Sequence, residues 1–175
     1  MTENTLSQSA WLKKLRNSLP VFGHRNWIVI ADAAYPQQNS DGIETVVADA
    51  EQIDMVRMVF EMITASNHVR ARVYTDLELD FVSEEDAHGV TDYRESLRHL
   101  LGRTPAKQLP HEEIIAKLEE QAEKFRILIL KTRMTIPYTS VFCELECGYW
   151  SVEAEERLRE AMRAKQNAAN GRSEI

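Results

Sequence analysis

The chain has 175 residues, enough for one domain with a full core and too few for two of ordinary size. Hydrophobic residues make up 43% of it, as in globular rather than disordered chains, and 28 acidic against 21 basic side chains give a formal charge of −7. That acidic balance disfavours nucleic acid and anionic membranes as partners, and with no apolar run of membrane-spanning length and no secretory-type leader the expected location is cytoplasmic.

Ala10 to Ser18 reads as an amphipathic helix, with Trp11, Leu12 and Leu15 opposite Lys13, Lys14 and Arg16, and Pro20 ends it. Trp27 to Ala31 is an apolar run of strand length. Tyr35 to Gly42 is a loop by composition, and Ile43 to Ala48 is a second strand that again ends at an aspartate, Asp49. From Glu51 to Thr64, Ile53, Val56, Val59, Phe60 and Ile63 recur at helical spacing. Val69, Ala71 and Val73 alternate with Arg70, Arg72 and Tyr74, a strand with one polar face. Residues 79–92 are polar and loop-like, and a helix carrying Tyr93, Leu97, Leu100 and Leu101 then closes at Gly102. Thr104 to Leu109 leaves room for a short strand. Glu112 to Phe125 is helical, with Ile114, Ile115, Leu118, Ala122 and Phe125 on its apolar side. Arg126 to Thr132 and Thr139 to Leu145 read as strands, and Ser151 to Lys165 as a charged helix with frayed residues after it. Strands alternating with helices predict an α/β fold with a largely parallel sheet: one domain over residues 1–150, then a helical extension over 151–175.

Residues 23–36 carry the strongest functional signal. Asp32 ends the run Trp27 to Ala31 and so sits at the carboxyl end of a strand, where open α/β sheets place their ligands. His24 stands before the same run, far from Asp32 along a straight strand, so a pocket using both needs more than one loop or more than one subunit. Further on, Pro110-His111-Glu112-Glu113 opens a helix, and Ile136-Pro137-Tyr138-Thr139-Ser140 precedes the last strand. With these three segments in this order, the chain resembles the D-ribose pyranase / L-fucose mutarotase family from about Leu6 to Phe142.

That resemblance implies a three-layer sandwich and a cofactor-free isomerase that interconverts cyclic forms of a free monosaccharide. It also implies a ring-shaped homo-oligomer, a decamer, with sites near subunit contacts. Residue by residue, it implies that His24 is the proton donor and that Asp32, His111, Tyr138 and Ser140 bind the sugar. The chain departs from the pattern in several places. Asn26 stands where the family has an aspartate two residues after the histidine. Ser140 replaces an asparagine, Thr132-Arg133-Met134 replaces Thr-Gly-Glu, and Tyr35 precedes Pro36 at the end of the first motif.

The chemistry suits these residue types. Anomer exchange takes a proton from the anomeric hydroxyl and gives one to the ring oxygen, then reverses the roles after the carbonyl turns. An imidazole titrating near neutrality can do either, and carboxylate, tyrosine and hydroxyl groups can hold the sugar. Read singly, each residue has a plainer role: His24 as a hydrogen-bonding loop residue, Asp32 as a turn cap, His111 as part of a polar first helical turn. The alternative for the whole chain is a non-catalytic sugar-binding or sensor protein on the same scaffold. An α/β hydrolase is disfavoured because no Gly-x-Ser-x-Gly elbow is present. Cys143 and Cys147 have no second pair, so buried reduced thiols are expected rather than a zinc site, and Gly23 opens no glycine-rich phosphate loop. No metal or cofactor is expected. His68, His88 and His99 lack ligand spacing, and Arg70 and Arg72 read as a solvated strand face.

Overall fold

A computed structural model describes residues 9–102 and 104–170. Among them six strands form one sheet: β1 (Trp27–Ala31), β2 (Ile43–Val47), β3 (Val69–Asp76), β4 (Ala106–Leu109), β5 (Ile127–Lys131) and β6 (Val141–Cys147), in the order β2-β5-β1-β6-β3-β4. β1, β2 and β5 pair in parallel, as do β3 and β4, while β6 lies antiparallel to both β1 and β3. Five strands therefore run one way and β6 alone runs back. The helices are α1 (Ala10–Ser18), α2 (Gln52–Ala65), α3 (Val90–Leu101), α4 (His111–Ala122) and α5 (Val152–Asn170), with a 3-10 turn at Leu77–Phe81.

The alternation within the central strands sorts the core into two halves. Ile28, Ile30, Leu128, Leu130, Val73 and Cys143 point to the face covered by α1, α2 and α3. Trp27, Val29, Ile127, Ile129, Tyr74 and Phe142 point to the face covered by α4 through Ile114 and Leu118. β1 is buried along its whole length because both faces are covered, which is why it reads as an unbroken apolar run. Each such side chain contributes roughly 1.5–3 kcal/mol by leaving water. The three-layer α/β sandwich with a largely parallel sheet is thus observed.

Among the boundaries that differ from the sequence reading, three have clear local reasons. α4 ends at Ala122 rather than Phe125, because the 40–43 loop crosses at that point: a Cβ on Gly42 would lie 2.0 Å from the Ala122 carbonyl oxygen, so only glycine passes there. α3 begins at Val90, three residues earlier than Tyr93. Its first turn is held by Glu84, whose carboxylate accepts the Gly89 and Thr91 N–H groups at 2.6 and 2.9 Å. Those two bonds, Gly89 first, hold the Glu84 carboxyl down at about 2. β6 begins at Val141, because Thr139 and Ser140 are engaged by side chains instead. Cys143 is buried, and burial pushes its thiol up to about 12.

α5 exposes its side chains from Glu156 to Gln166, Leu158 and Met162 among them. The helix runs to Asn170, past the expected end at Lys165 where fraying was expected to begin, and residues 171–175 lie outside the described residues. No described helix is long and apolar enough to cross a membrane.

Candidate active site at the carboxyl edge of the sheet

The strand order decides which side chains meet. β1, β6, β3 and β4 lie side by side, so the residues at one edge follow in sequence across it: Asp32 after β1, Ser140 before β6, Asp76 at the end of β3 and His111 just after β4. Neighbouring strands are about 4.8 Å apart, so these four groups share a small area. Here the structure has a cavity of about 420 Å³ bordered by Asp32, Tyr35, His111, Ile136 and Tyr138. That volume falls within the range of small-ligand sites.

Asp32 is fixed on both carboxylate oxygens. The Ala34 N–H donates to Oδ1 at 2.9 Å and the Ser140 hydroxyl donates to Oδ2 at 3.1 Å. The turn-capping role of Asp32 and its place in the cavity therefore coexist. Ser140 is 1% exposed and its hydroxyl is used by Asp32, so it stands behind the cavity wall, as a holder of the carboxylate.

His111 opens α4, and Pro110 before it ends the strand and fixes the helix start. Glu78, from the 3-10 turn, accepts the His111 backbone N–H with both carboxylate oxygens at 3.0 Å. An anion suits that helix N-terminus. The ring Nδ1 donates to Asp76 Oδ1 at 3.0 Å, and the Tyr138 ring meets the imidazole edge-on with centroids 5.7 Å apart. The bond it donates to Asp76 raises the His111 pKa above its ordinary value. Burial raises the Asp76 carboxyl, with the His111 bond opposing the rise.

Two buried polar atoms have no hydrogen-bond partner among the described residues here: Asp76 Oδ2 and the Tyr35 hydroxyl. Burial, then the charges of Asp76 and Asp32, raise the Tyr35 hydroxyl above the usual tyrosine value. Groups of this kind demand an explanation, and a polar ligand is one.

Beneath the cavity, Gln52 ties three chain segments together. Its amide nitrogen donates to the Ile30 and Thr139 carbonyls at 3.2 and 2.8 Å, and its carbonyl accepts the Thr132 hydroxyl at 2.5 Å. The Tyr93 hydroxyl donates to the same Thr139 carbonyl at 2.6 Å. Tyr138, next to the braced Thr139, has φ 59°, a left-handed conformation that costs a non-glycine residue about 1–3 kcal/mol.

His24 is not in this group. It lies before β1 at the opposite edge, five strand residues or about 17 Å from Asp32 along the strand. It is exposed, and its Nε2 accepts the Arg25 Nε–H at 3.3 Å. Asn26 does not touch it: the Asn26 side chain accepts the Gly23 N–H at 2.8 Å and donates to the Arg126 carbonyl at 3.1 Å.

Of the expected site residues, one chain thus brings together Asp32, His111 and Tyr138, with Ser140 behind them, and leaves His24 apart. Sequence reasoning missed Asp76, Glu78 and Gln52. Asp76 carried the same signal as Asp32, an acid closing a strand, and only its neighbours in space distinguish it. His68, set aside as structural, holds Ser66, Leu19 and Phe22 carbonyls with its two ring nitrogens.

No protein-family model matches the chain, and a search of curated proteins finds none similar to it. Solved structures do match. RbsD of Bacillus subtilis, complexed with D-ribose, aligns at 20% identity and a TM-score of 0.55, over 79% of this chain and 93% of that one. The fucose mutarotase of Streptococcus pneumoniae, in complex with L-fucose, aligns at 18% identity and 0.50, over 79% and 92%. FucU from Bifidobacterium longum aligns at 15% identity and 0.52, over 77% and 94%. Nearly the whole of each of those chains is matched, and the chain has the fold that RbsD and the fucose mutarotases share.

Proposed function

We propose that the chain is a monosaccharide isomerase, a mutarotase or pyranase that interconverts cyclic forms of a free sugar by acid–base ring opening, without a cofactor. The observation that carries this reading is the convergence of Asp32, His111 and Tyr138 on one cavity of about 420 Å³. A carboxylate, an imidazole and a phenol supply the acceptors and donors that a polyhydroxylated ring requires, and an imidazole can exchange protons near neutral pH. In this reading His24 is the proton donor and reaches the cavity from a second copy of the chain, because its own strand holds it at the other edge. The protein is then a closed homo-oligomer, a decameric ring in the resemblance. In this reading residues 1–150 form the sugar domain, and the exposed helix that follows is an extension that either braces the ring or limits it.

Saturation transfer between anomeric proton signals, measured over a panel of free pentoses, hexoses and deoxyhexoses, tests the activity. Exchange faster than the uncatalysed rate for one sugar class is the expected result. Binding without faster exchange for any sugar refutes turnover and leaves the second reading, a non-catalytic sugar-binding protein. That second reading draws on Asn26, whose side chain holds the loop and gives His24 no carboxylate partner.

A further inference from the structure

Among the described histidines, only one pairs a buried carboxylate with a ring nitrogen left over for a ligand. His24 has a guanidinium beside its Nε2. His68 has both nitrogens against backbone carbonyls. His88 meets Glu84 at 3.4 Å with its side chain fully in solvent. His111 instead holds Asp76 through Nδ1 at 3.0 Å, and its side chain, 28% exposed, borders the cavity. Asp76 is fully buried, so its carboxylate is held within the protein interior and directed at that one imidazole.

We propose that His111 is the base that takes the proton of the sugar's anomeric hydroxyl, and that Asp76 is the positioning residue that fixes its ring and tautomer. This rests on the sugar-isomerase reading and adds to it a carboxylate–imidazole pair lying wholly within one subunit. With Nδ1–H given to Asp76 Oδ1, Nε2 presents its lone pair. The anomeric O–H bond breaks and its proton passes to Nε2. The bond from the anomeric carbon to the ring oxygen breaks as the carbonyl forms, and the ring oxygen takes a proton from the His24 of a second copy. Closure on the other face reverses both transfers: the hydroxyl returns its proton to His24, and the carbonyl oxygen takes the proton held on His111. Nothing is consumed, and both imidazoles end as they began. Asp76 carries the charge that steadies the His111 imidazolium between the two transfers.

The charged groups facing His111 are Asp76 from β3, Glu78 from the 3-10 turn and Glu112 from its own helix, all acidic, and they act in the same direction on its protonation. The rate should therefore fall on the acid side as His111 takes up a proton, at a pH above that of an ordinary histidine. An asparagine at position 76 changes this in two ways. It removes the charge, and its amide can donate to Nδ1, which forces the proton onto Nε2 and removes the lone pair.

The experiment compares wild type, Asp76→Asn and His111→Gln by saturation transfer across pH, on a sugar that the wild type exchanges. It also follows the His111 ring signals by NMR with labelled histidine. Expected are a fall in kcat of about 10²–10⁴-fold in both variants, little change in KM for Asp76→Asn, and an acid limb displaced to lower pH in that variant. A loss carried by KM alone with an unmoved acid limb, or an unchanged rate, overturns the proposal. Should Asp76→Asn not fold, the wild type alone decides: a His111 titration that moves with the sugar supports the pair, and one that ignores the sugar overturns it. A wild type that exchanges no sugar fails the isomerase reading itself. A wild type that exchanges sugar while Asp76→Asn matches it fails only the pair.

Discussion

The two ends of β1 present different kinds of polar site. At the carboxyl end Asp32 is gripped by Ser140 and the Ala34 N–H, His111 by Asp76 and Glu78, and the chain between β5 and β6 by Gln52. At the amino end His24 and Arg25 are exposed: their side chains meet each other, and the Arg25 guanidinium lies over the Phe125 ring at 5.6 Å. Both ends carry a non-glycine residue at positive φ, Tyr138 at 59° and Arg25 at 74°. Only the first is braced by buried side chains. The difference teaches that one subunit by itself builds a cavity with preset groups at one edge, and displays His24 to solvent at the other.

The largest expected effect breaks or makes that pairing of edges. His24→Ala and Asp32→Ala should each lower exchange by about 10²–10⁴-fold. Mixed oligomers of the two variants, made by co-expression, should regain activity because some sites receive His24 from one chain and Asp32 from the other. Mixtures no more active than their parts would mean that the two edges never meet. Light scattering coupled to size exclusion gives the companion result, and a monomer at micromolar concentration would contradict the shared site.

Next comes bracing. Gln52→Leu removes the three buried hydrogen bonds to the Ile30 and Thr139 carbonyls and the Thr132 hydroxyl, and at roughly 0.5–1.5 kcal/mol per bond it should cost about 3 kcal/mol of stability in urea unfolding. At the amino edge, Asn26→Ala should cost only about 1 kcal/mol, because water can reach the groups it leaves. Equal costs would erase the contrast between the edges.

Ser140→Ala should weaken sugar binding by about 1 kcal/mol, roughly fivefold in Kd, because Asp32 loses the hydroxyl that aims it. Calorimetric titration with the sugar measures this, and unchanged affinity would show Asp32 to be held by its turn alone.

The smallest effect concerns the chain leading into the amino edge. Its Ser66 carbonyl first, then Phe22, raise the His68 pKa above 6.5. A pKa raised in the folded state means that protonated His68 stabilises most below about 6.5 and that this contribution fades as pH rises through the folded value. Urea midpoints of wild type should therefore decline slightly just above that pH, and His68→Gln should flatten the decline. A variant with the same slope would remove His68 as its source.

Much of the fold was legible in the residues. Trp27 to Ala31 could hardly be anything but a strand covered on both faces, and the 3.6-residue recurrence of Val56, Val59 and Ile63 required a helix with one buried side. These are short-range patterns, and the solvent's demand that apolar groups be covered enforces them locally. Asp32, His111 and Tyr138, which border one cavity, were singled out by the resemblance of their three segments to the family's motifs. What the sequence reading missed was the third strand-end aspartate, Asp76. Asp32, Asp49 and Asp76 look alike in one dimension. The sheet order separates them: β2 lies at the edge, where Asp49 is exposed and pairs with Arg133 at 3.0 Å, while β1 and β3 flank β6 and bring Asp32 and Asp76 to either side of Ser140. Chain neighbours are held about 3.8 Å apart by covalent geometry, so sequence alone determines which groups stand at strand ends. Which strand lies about 4.8 Å away is decided by packing between residues as much as a hundred positions apart, and only that choice turned an ordinary buried acid into the partner of His111.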